Sequence, residues 1–148
     1  MLATQPPAGP HRLDDWRARL AAEMDRQRRE PFKWGAHDCA LGFASGIVEA
    51  ITGADLARGF RGKYRTAQGA AQILSERGAE TLGDLVAQFL PELHPAFAQV
   101  GDLGVIAADG PIGQALCMFD ASGLVVMTDE GHGRRPREDA LRAFKVGE

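Results

Sequence analysis

The sequence predicts a single α+β domain, with helices in the first two thirds of the chain and antiparallel strands in the last third. Apolar residues recur at helical spacing up to about residue 91, and after residue 100 short apolar runs alternate with turn sequences. The chain has 148 residues, of which 45% are apolar, enough to form one core. We expect the sheet to pack its apolar face on a buried helix.

Composition excludes several classes of protein. The formal net charge of −3 and the scattered arginines provide no basic field for nucleic acid, so we expect no nucleic-acid partner. Cys39 and Cys117 lie far apart, outside any metal-ligand spacing, which argues against structural zinc and disulfides and favours folding in a reducing cytoplasm. We expect no cofactor. No apolar run reaches the roughly 18 residues that span a bilayer, and the N-terminal segment has no signal-peptide pattern.

The chain begins with a proline-rich segment at residues 1–12, which we interpret as a disordered tail before a domain at residues 13–148. From Leu13 apolar residues at helical spacing predict an amphipathic helix that Pro31 ends. The other face of this helix carries five arginines. That face is either solvated surface or a contact with an acidic partner.

A central helix is predicted over residues 39–52, capped by Asp38 and closed by Gly53. Its apolar stripe indicates that it is buried along most of its length. Two shorter helices follow. Thr66 caps the first, which ends at Gly78, and Thr81 begins the second, which ends at Pro91.

The last third of the chain predicts a three-stranded antiparallel meander whose connections are turn sequences. We expect a loop next, then a helical turn and a fourth strand. The three strands lie at residues 103–107, 114–119 and 124–128, the loop at 129–135, the helical turn at 138–141 and the fourth strand at 142–146.

Cys39 occupies the first turn of the central helix, where free backbone N–H groups and the helix dipole favour a thiolate. The residues before it, Gly35-Ala-His-Asp38, keep the sulfur accessible at a junction of loop and helix. Asp38 is a neighbouring negative charge that opposes ionisation of the thiol. Cys39 is therefore either a nucleophile or a small buried apolar residue.

Two resemblances rest on motifs along the chain. Trp34-Gly-Ala-His-Asp-Cys39, an apolar helix and the strand start Gly101-Asp102-Leu103 resemble the NlpC-type cell-wall cysteine peptidases over residues 32–126, which implies a papain-like α+β fold. After residue 30 the chain is also similar to small proteins of tailed phages, prophages and gene transfer agents, commonly encoded beside the tail hub and tip. The motifs of this second resemblance are Trp34-Gly35, Asp38-Cys39, Phe60-Arg-Gly-Lys-Tyr-Arg65, Gly101-Asp102 and Ala140-Leu-Arg-Ala-Phe-Lys-Val146.

The peptidase resemblance implies that Cys39 is the nucleophile and that Asp38 is the acidic residue before it. The family's general base is a histidine at the start of the second strand, but Gly113 and Gln114 occupy that position here. Gln114 could donate a hydrogen bond to an oxyanion, but it cannot accept and return a proton near neutral pH. The expected base is missing.

Two histidines are candidate substitutes for that base. His37 lies two residues before Cys39, close enough in a tight loop to reach the sulfur, although such a residue usually points into solvent. His132 lies in a glycine-flanked loop after the third strand, which could fold over the end of the central helix.

The loop at residues 58–65 places Phe60 and Tyr64 among four cations. This composition suits either a site for a polyanion or a glycan, or a solvated loop pinned by two aromatics.

Two functional hypotheses follow. In the first, the protein is made in the host cytoplasm and becomes a virion component at the tail tip, where it keeps the peptidase fold, lacks the base and docks on tail hub or tip proteins. In the second, it is an active cysteine peptidase or amidase that degrades host peptidoglycan during DNA entry. Cys39 would then be the nucleophile, its own N–H would face the oxyanion, and His37 or His132 would be the base. The missing histidine favours the first hypothesis.

Overall fold

The computed structural model describes residues 11–128 and 130–147. In that part of the chain four helices of six or more residues precede the main strands, as predicted, and none is long and apolar enough to cross a membrane. The helices are α1 (Trp16–Gln27), α2 (Cys39–Ala44 and Ser45–Thr52), α3 (Ala67–Glu76) and α4 (Leu82–Ala87). The first segment of α2 is a π-helix and the second is an α-helix.

The predicted helix starts are confirmed by their caps. The side chains of Asp38, Thr66 and Thr81 each accept a hydrogen bond from a backbone N–H in the first turn of the helix that follows. These short polar side chains satisfy donors that have no partner within the helix. The end of α4 differs from the prediction, because the helix stops at Ala87, four residues before Pro91.

The strands form one antiparallel sheet in the order β1-β6-β2-β3-β4-β5. The predicted meander is present as β2, β3 and β4, and β6 lies between β1 and β2. The strands are β1 (Glu92–Leu93), β2 (Leu103–Ala107), β3 (Gln114–Asp120), β4 (Gly123–Thr128), β5 (Gly131–Arg135) and β6 (Arg142–Phe144).

The prediction of a loop at residues 129–135 is wrong for the part that the structure describes. Gly131–Arg135 is β5, which pairs with β4 in the register Val126 with Gly133 and Met127 with His132. The segment is rich in glycine and arginine, and its burial does not alternate, since residues 131–133 are half-buried and residues 134–135 are exposed. It therefore carries no alternation of apolar and polar residues that would predict a strand. The two-residue strand β1 is too short for any pattern and was also not predicted.

The sheet is apolar on both faces. One face carries Leu103, Leu116 and Met118 and packs on α2, which contributes Phe43 and Ile47 to the same core. The other face forms a second cluster beneath the segments around Ala98 and Ala140, and its members include Cys117, Phe119, Leu124 and Ala143. Cys117 therefore packs in the core on the face of the sheet that is turned away from α2.

Arg12 belongs to the packed domain, one residue before the expected boundary. Its guanidinium donates to the carbonyls of Val146 at 2.9 Å and Val100 at 2.8 Å, and it pairs with Asp102 at 3.0 Å. Asp102 also accepts the backbone N–H of Val146 at 3.0 Å, so this carboxylate ties both ends of the described chain to the start of β2. The remainder of the expected tail, residues 1–10, lies outside the described residues.

Candidate functional site

The site begins with a tight turn in front of α2. Lys33 and His37 exchange backbone hydrogen bonds of 2.8 and 2.9 Å, which close the turn. Gly35 in this turn has a φ of +80°, and a Cβ atom there would lie 2.0 Å from the carbonyl oxygen of Tyr64. Only glycine fits this close approach. The Trp34-Gly35 motif is therefore a backbone requirement of the turn that delivers Asp38 and Cys39.

Asp38 organises the head of α2, and its side chain is only 1% exposed. Oδ1 accepts the N–H groups of Ala40 at 3.0 Å and Leu41 at 2.8 Å. Oδ2 accepts the N–H of Gly35 at 3.0 Å and the hydroxyl of Tyr64 at 2.5 Å. A carboxylate offers about four lone-pair positions, and four donors occupy them here. Asp38 therefore has no free position with which to accept a proton from a neighbouring thiol.

Cys39 is partly buried and lines an apolar cavity beside α2. Burial raises the pKa of its thiol to about 11, and the charge of Asp38 acts in the same direction. The backbone amides of Leu116, on β3, and of Cys39 itself oppose this shift without cancelling it. Burial thus outweighs the helix N-terminus and favours the protonated thiol of Cys39.

The two candidate bases lie in a different environment, beside α1. Burial lowers the pKa of His37, and its charged neighbours are Glu30, Arg26, Asp38 and Glu23. A Cβ atom at Gly42 would lie 2.0 Å from Nδ1 of His37, so the imidazole packs directly on the side of α2. Cys39 is not among the hydrogen-bond or electrostatic partners found for this ring within the described residues.

We expected His132 to lie in a loop that folds over the end of the central helix. It lies instead within β5. Its Nε2 lies 3.1 Å from Oε1 of Gln27, and its ring packs against Phe43 with the centroids 5.6 Å apart. Burial lowers the pKa of His132, and the positive charges of Arg28 and His37 add to the effect. Both histidines therefore belong to one polar cluster between α1, α2 and β5.

Gln27 is the centre of that cluster and was not singled out from the sequence. It is 2% exposed, and its Nε2 donates to Glu23 at 2.7 Å and to the carbonyls of Gly42 and Phe43 at 3.1 and 3.2 Å. These carbonyls belong to the π-helical segment of α2, just before it continues as an α-helix. Glycine at positions 42 and 46 of α2 could have signalled such a close approach, because a Cβ at Gly46 would lie 2.2 Å from Glu23.

Gln114 has a structural contact in place of the expected role at an oxyanion. Its Oε1 accepts the backbone N–H of Gly83 at 3.0 Å, in the first turn of α4. The side chain thereby joins the start of β3 to α4.

The basic loop at residues 58–65 agrees with the interpretation as a loop pinned by two aromatics. The ring of Phe60 packs against Phe89 at 5.9 Å, with Arg77 stacked 4.9 Å above it. Tyr64 reaches Asp38, and burial together with that carboxylate raises the pKa of its phenol, which therefore stays protonated and donates. Tyr64 is the second site residue whose partner the sequence did not reveal.

The structure thus brings Trp34, Asp38, Cys39 and Tyr64 together and places His37, His132 and Gln114 elsewhere. Within the described ranges, no three His, Cys, Asp or Glu side chains are arranged to hold a metal ion. The arrangement that remains is a neutral thiol beside a saturated carboxylate at the mouth of an apolar cavity.

Comparison with known proteins assigns the chain to a family. No curated protein and no solved structure matches the chain significantly. A family profile matches residues 11–146, which covers both helical and sheet parts of the domain and all the site residues named above. The chain belongs to this family, which is described as a domain of unknown function (DUF6950).

Proposed function

We propose that this protein is a papain-like, NlpC-type domain that no longer cleaves peptide bonds and serves as a docking component at the tail tip of a phage or a gene transfer agent. The fold supports this proposal, since a cysteine begins the central helix and that helix packs on an antiparallel sheet. The tail association rests on the sequence motifs given above.

The placement of possible proton acceptors around Cys39 carries the proposal. Four donors occupy the carboxylate of Asp38. His132 contacts Gln27, and Cys39 is not among the partners of His37 in the described chain. General base catalysis is worth about 10² to 10⁴ in rate, and amide cleavage also needs an acid that protonates the departing amine. A neutral thiol without either group is a poor catalyst for that reaction.

Docking needs an exposed surface, and the apolar candidate lies at the β1 edge of the sheet. Phe97 is 73% exposed and Leu141 is 55% exposed, both large apolar side chains. Leu141 lines a surface groove with Pro95 and Ala96, directly before Phe97 in the chain. Exposed apolar groups of this kind, next to polar neighbours such as Glu138, are typical of protein contact sites.

The arginine face of α1 is less available for an acidic partner. Arg19 donates to the carbonyls of Ala50 and Glu49 at the end of α2. Arg26 pairs with Glu23 and Glu30, and Arg28 pairs with Asp25. Arg17 stacks on the ring of Trp16 at 4.3 Å. Contacts within the domain thus use four of the five arginines, and we place the docking surface at Phe97 and Leu141.

The test is incorporation into particles. The gene would carry an epitope tag in a strain that produces the particles, and purified tails would be probed by immunoblot after gradient sedimentation. We expect the wild-type protein to sediment with tails and the Phe97→Glu/Leu141→Glu variant to be reduced at least about tenfold. Circular dichroism and melting of the purified variant check that it is folded.

A matched control reverses charge away from that surface, with Arg17→Glu on α1 and Arg29→Glu two residues after it, both exposed positions, and should be incorporated normally. If the wild-type protein is absent from tails, the proposed function is wrong. If the apolar variant is incorporated normally, or the arginine variant is lost, the docking surface is misplaced.

A further inference from the structure

The lysine and arginine side chains of the described chain differ in whether they have a partner. Most of them form an ion pair, a hydrogen bond to a carbonyl or a ring contact within the domain, as Arg12, Arg19 and Arg77 do. Four exposed side chains have no hydrogen bond, ion pair, ring contact or electrostatic partner among the described residues. These four are Arg29, Lys33, Lys63 and Arg65.

The fold brings three of these cations together. Lys33 begins the turn in front of α2, and the carbonyl of Gly35 in that turn accepts the backbone N–H of Gly62 at 2.9 Å. A Cβ atom added at Gly35 would lie 2.0 Å from the carbonyl oxygen of Tyr64, so that residue also touches the turn. The residues on both sides of Lys63 therefore contact the turn that Lys33 begins.

Few negative charges offset these cations. Residues 29–38 and 55–65 contain six lysines and arginines and three acids, in a chain whose net charge is −3. All three acids have partners within the domain, namely Arg26 for Glu30, Arg61 for Asp55 and the four donors around Asp38. The two segments therefore form a positive area on a domain that is negative elsewhere, which favours a negatively charged partner.

Aromatic residues alternate with the three cations, in Phe32-Lys33-Trp34 and in Lys63-Tyr64-Arg65. We call the exposed side chains of Phe32, Lys33, Lys63 and Arg65 the cationic patch.

The aromatic rings of these two segments pack on each other. The ring of Phe32 meets that of Trp34 edge to face with the centroids 5.0 Å apart, and Trp34 meets Tyr64 at 6.5 Å. Ligands that bind by stacking, as nucleobases do, need an open ring face. The cluster instead leaves Phe32, which is 38% exposed, as an apolar side chain beside unpaired cations. This combination suits a peptide segment that carries both carboxylates and an apolar side chain.

We propose that the cationic patch binds an acidic segment of a partner protein, whose carboxylates face the three cations and whose apolar side chain packs on Phe32. The attraction is between exposed charges, so it weakens as the salt concentration rises. The patch shares no residue with the docking surface at Phe97 and Leu141, and the inference does not depend on the tail association.

The test uses a fluorescein-labelled peptide of repeated Glu-Glu-Leu, titrated with the full chain and followed by fluorescence anisotropy. We expect saturable binding that weakens at least about tenfold between about 50 and 200 mM salt. Replacing each leucine of the peptide by serine should weaken binding about fivefold, because the contact with Phe32 is lost. The Lys33→Glu/Lys63→Glu variant should bind the peptide at least about tenfold more weakly than the wild type.

A matched control makes the same change of net charge elsewhere. Arg17→Glu/Arg134→Glu alters two exposed arginines outside the patch and should bind the peptide within about twofold of the wild type. Circular dichroism and melting check that both variants are folded. Oligothymidylate and oligogalacturonate of equal charge are the competing ligands, and we expect both to bind at least about fivefold more weakly than the peptide.

Three results would overturn the proposal. The first is that the peptide shows no saturable binding to the wild type. The second is that the control variant loses as much affinity as the patch variant. The third is that oligothymidylate or oligogalacturonate binds as tightly as the peptide, which would assign the patch to a nucleic acid or to an acidic polysaccharide instead.

Discussion

The hydroxyl of Tyr64 lies 2.5 Å from Oδ2 of Asp38, and this hydrogen bond joins the loop at residues 58–65 to the head of the central helix across 26 residues of sequence. It occupies the last acceptor position of a carboxylate that already caps α2 and holds the turn at Gly35. The bond therefore both stabilises the fold and removes Asp38 from any role as a base for Cys39.

The first prediction concerns that bond. Tyr64→Phe removes a partly buried hydrogen bond to a charged group, and we expect the free energy of unfolding to fall by about 1.5 to 3 kcal/mol. Urea denaturation followed by circular dichroism measures it. Asp38→Ala removes all four hydrogen bonds and the cap of α2, so its free energy of unfolding should be lower still. Asp14→Ala, at an exposed position, should have nearly the free energy of unfolding of the wild type. Equal stability of Tyr64→Phe and the wild type would show that the bond contributes nothing.

The second prediction is that Cys39 alkylates slowly. With a pKa of about 11, its thiolate fraction at pH 7.5 is roughly 300-fold below that of a free cysteine, although a more basic thiolate is also more nucleophilic. The Cys117→Ala variant leaves Cys39 as the one cysteine in the chain. In this variant we expect iodoacetamide to modify Cys39 at least about tenfold more slowly when the protein is folded than when it is unfolded in urea. Between pH 7 and 9 the rate should rise about tenfold per unit. A rate that levels off near pH 7 would mean that the thiol is already ionised there.

The third prediction compares two glycines of α2. A Cβ at Gly42 would lie 2.6 Å from the Cα of His37 as well as 2.0 Å from its ring, so the backbone must move. A Cβ at Gly46 meets only the ends of the Glu23 and Gln27 side chains, which can shift, and alanine favours the helix by about 1 kcal/mol. We expect Gly42→Ala to be less stable than Gly46→Ala by at least about 2 kcal/mol in thermal and urea unfolding. The reverse order would contradict the packing of His37 on α2.

The fourth prediction concerns pH. Burial lowers the pKa of His37 and His132 in the folded protein, so the unfolded chain binds protons more readily below about pH 6.5. Stability should hold above that pH and fall as the pH drops below it, by up to about 1.4 kcal/mol per unit for each histidine. His132→Gln should flatten this fall in urea unfolding between pH 6.5 and 5.5, while His11→Gln, in an exposed position, should not. An unchanged slope in His132→Gln would exclude that histidine as its source.

Local features of this fold could be predicted from the sequence. The bounds of α2, the caps at Asp38, Thr66 and Thr81 and the meander all depend on residues within a few positions of each other. The same holds for the position of Cys39 at the head of its helix.

The features that the sequence did not reveal depend on distant partners. Tyr64 reaches Asp38, Gln27 reaches the carbonyls of α2, and His132 lies 105 residues from the glutamine that it contacts. The edge strand β5 consists of Gly131-His-Gly-Arg-Arg135, which has no apolar alternation, and only its pairing with β4 identifies it. The ionisation of Cys39 also could not be predicted, because it depends on burial that the whole fold creates.

The most direct test of the central claim is digestion of purified peptidoglycan sacculi, with soluble muropeptides measured by liquid chromatography and mass spectrometry. We predict that the wild-type protein releases no more material than Cys39→Ala over hours at pH 7.5, because neither His37 nor His132 has Cys39 among its partners in the described chain. Release of peptide fragments by the wild type that is lost in Cys39→Ala would contradict the account and identify an active peptidase or amidase. Loss of that activity in His37→Gln or His132→Gln would then identify the base.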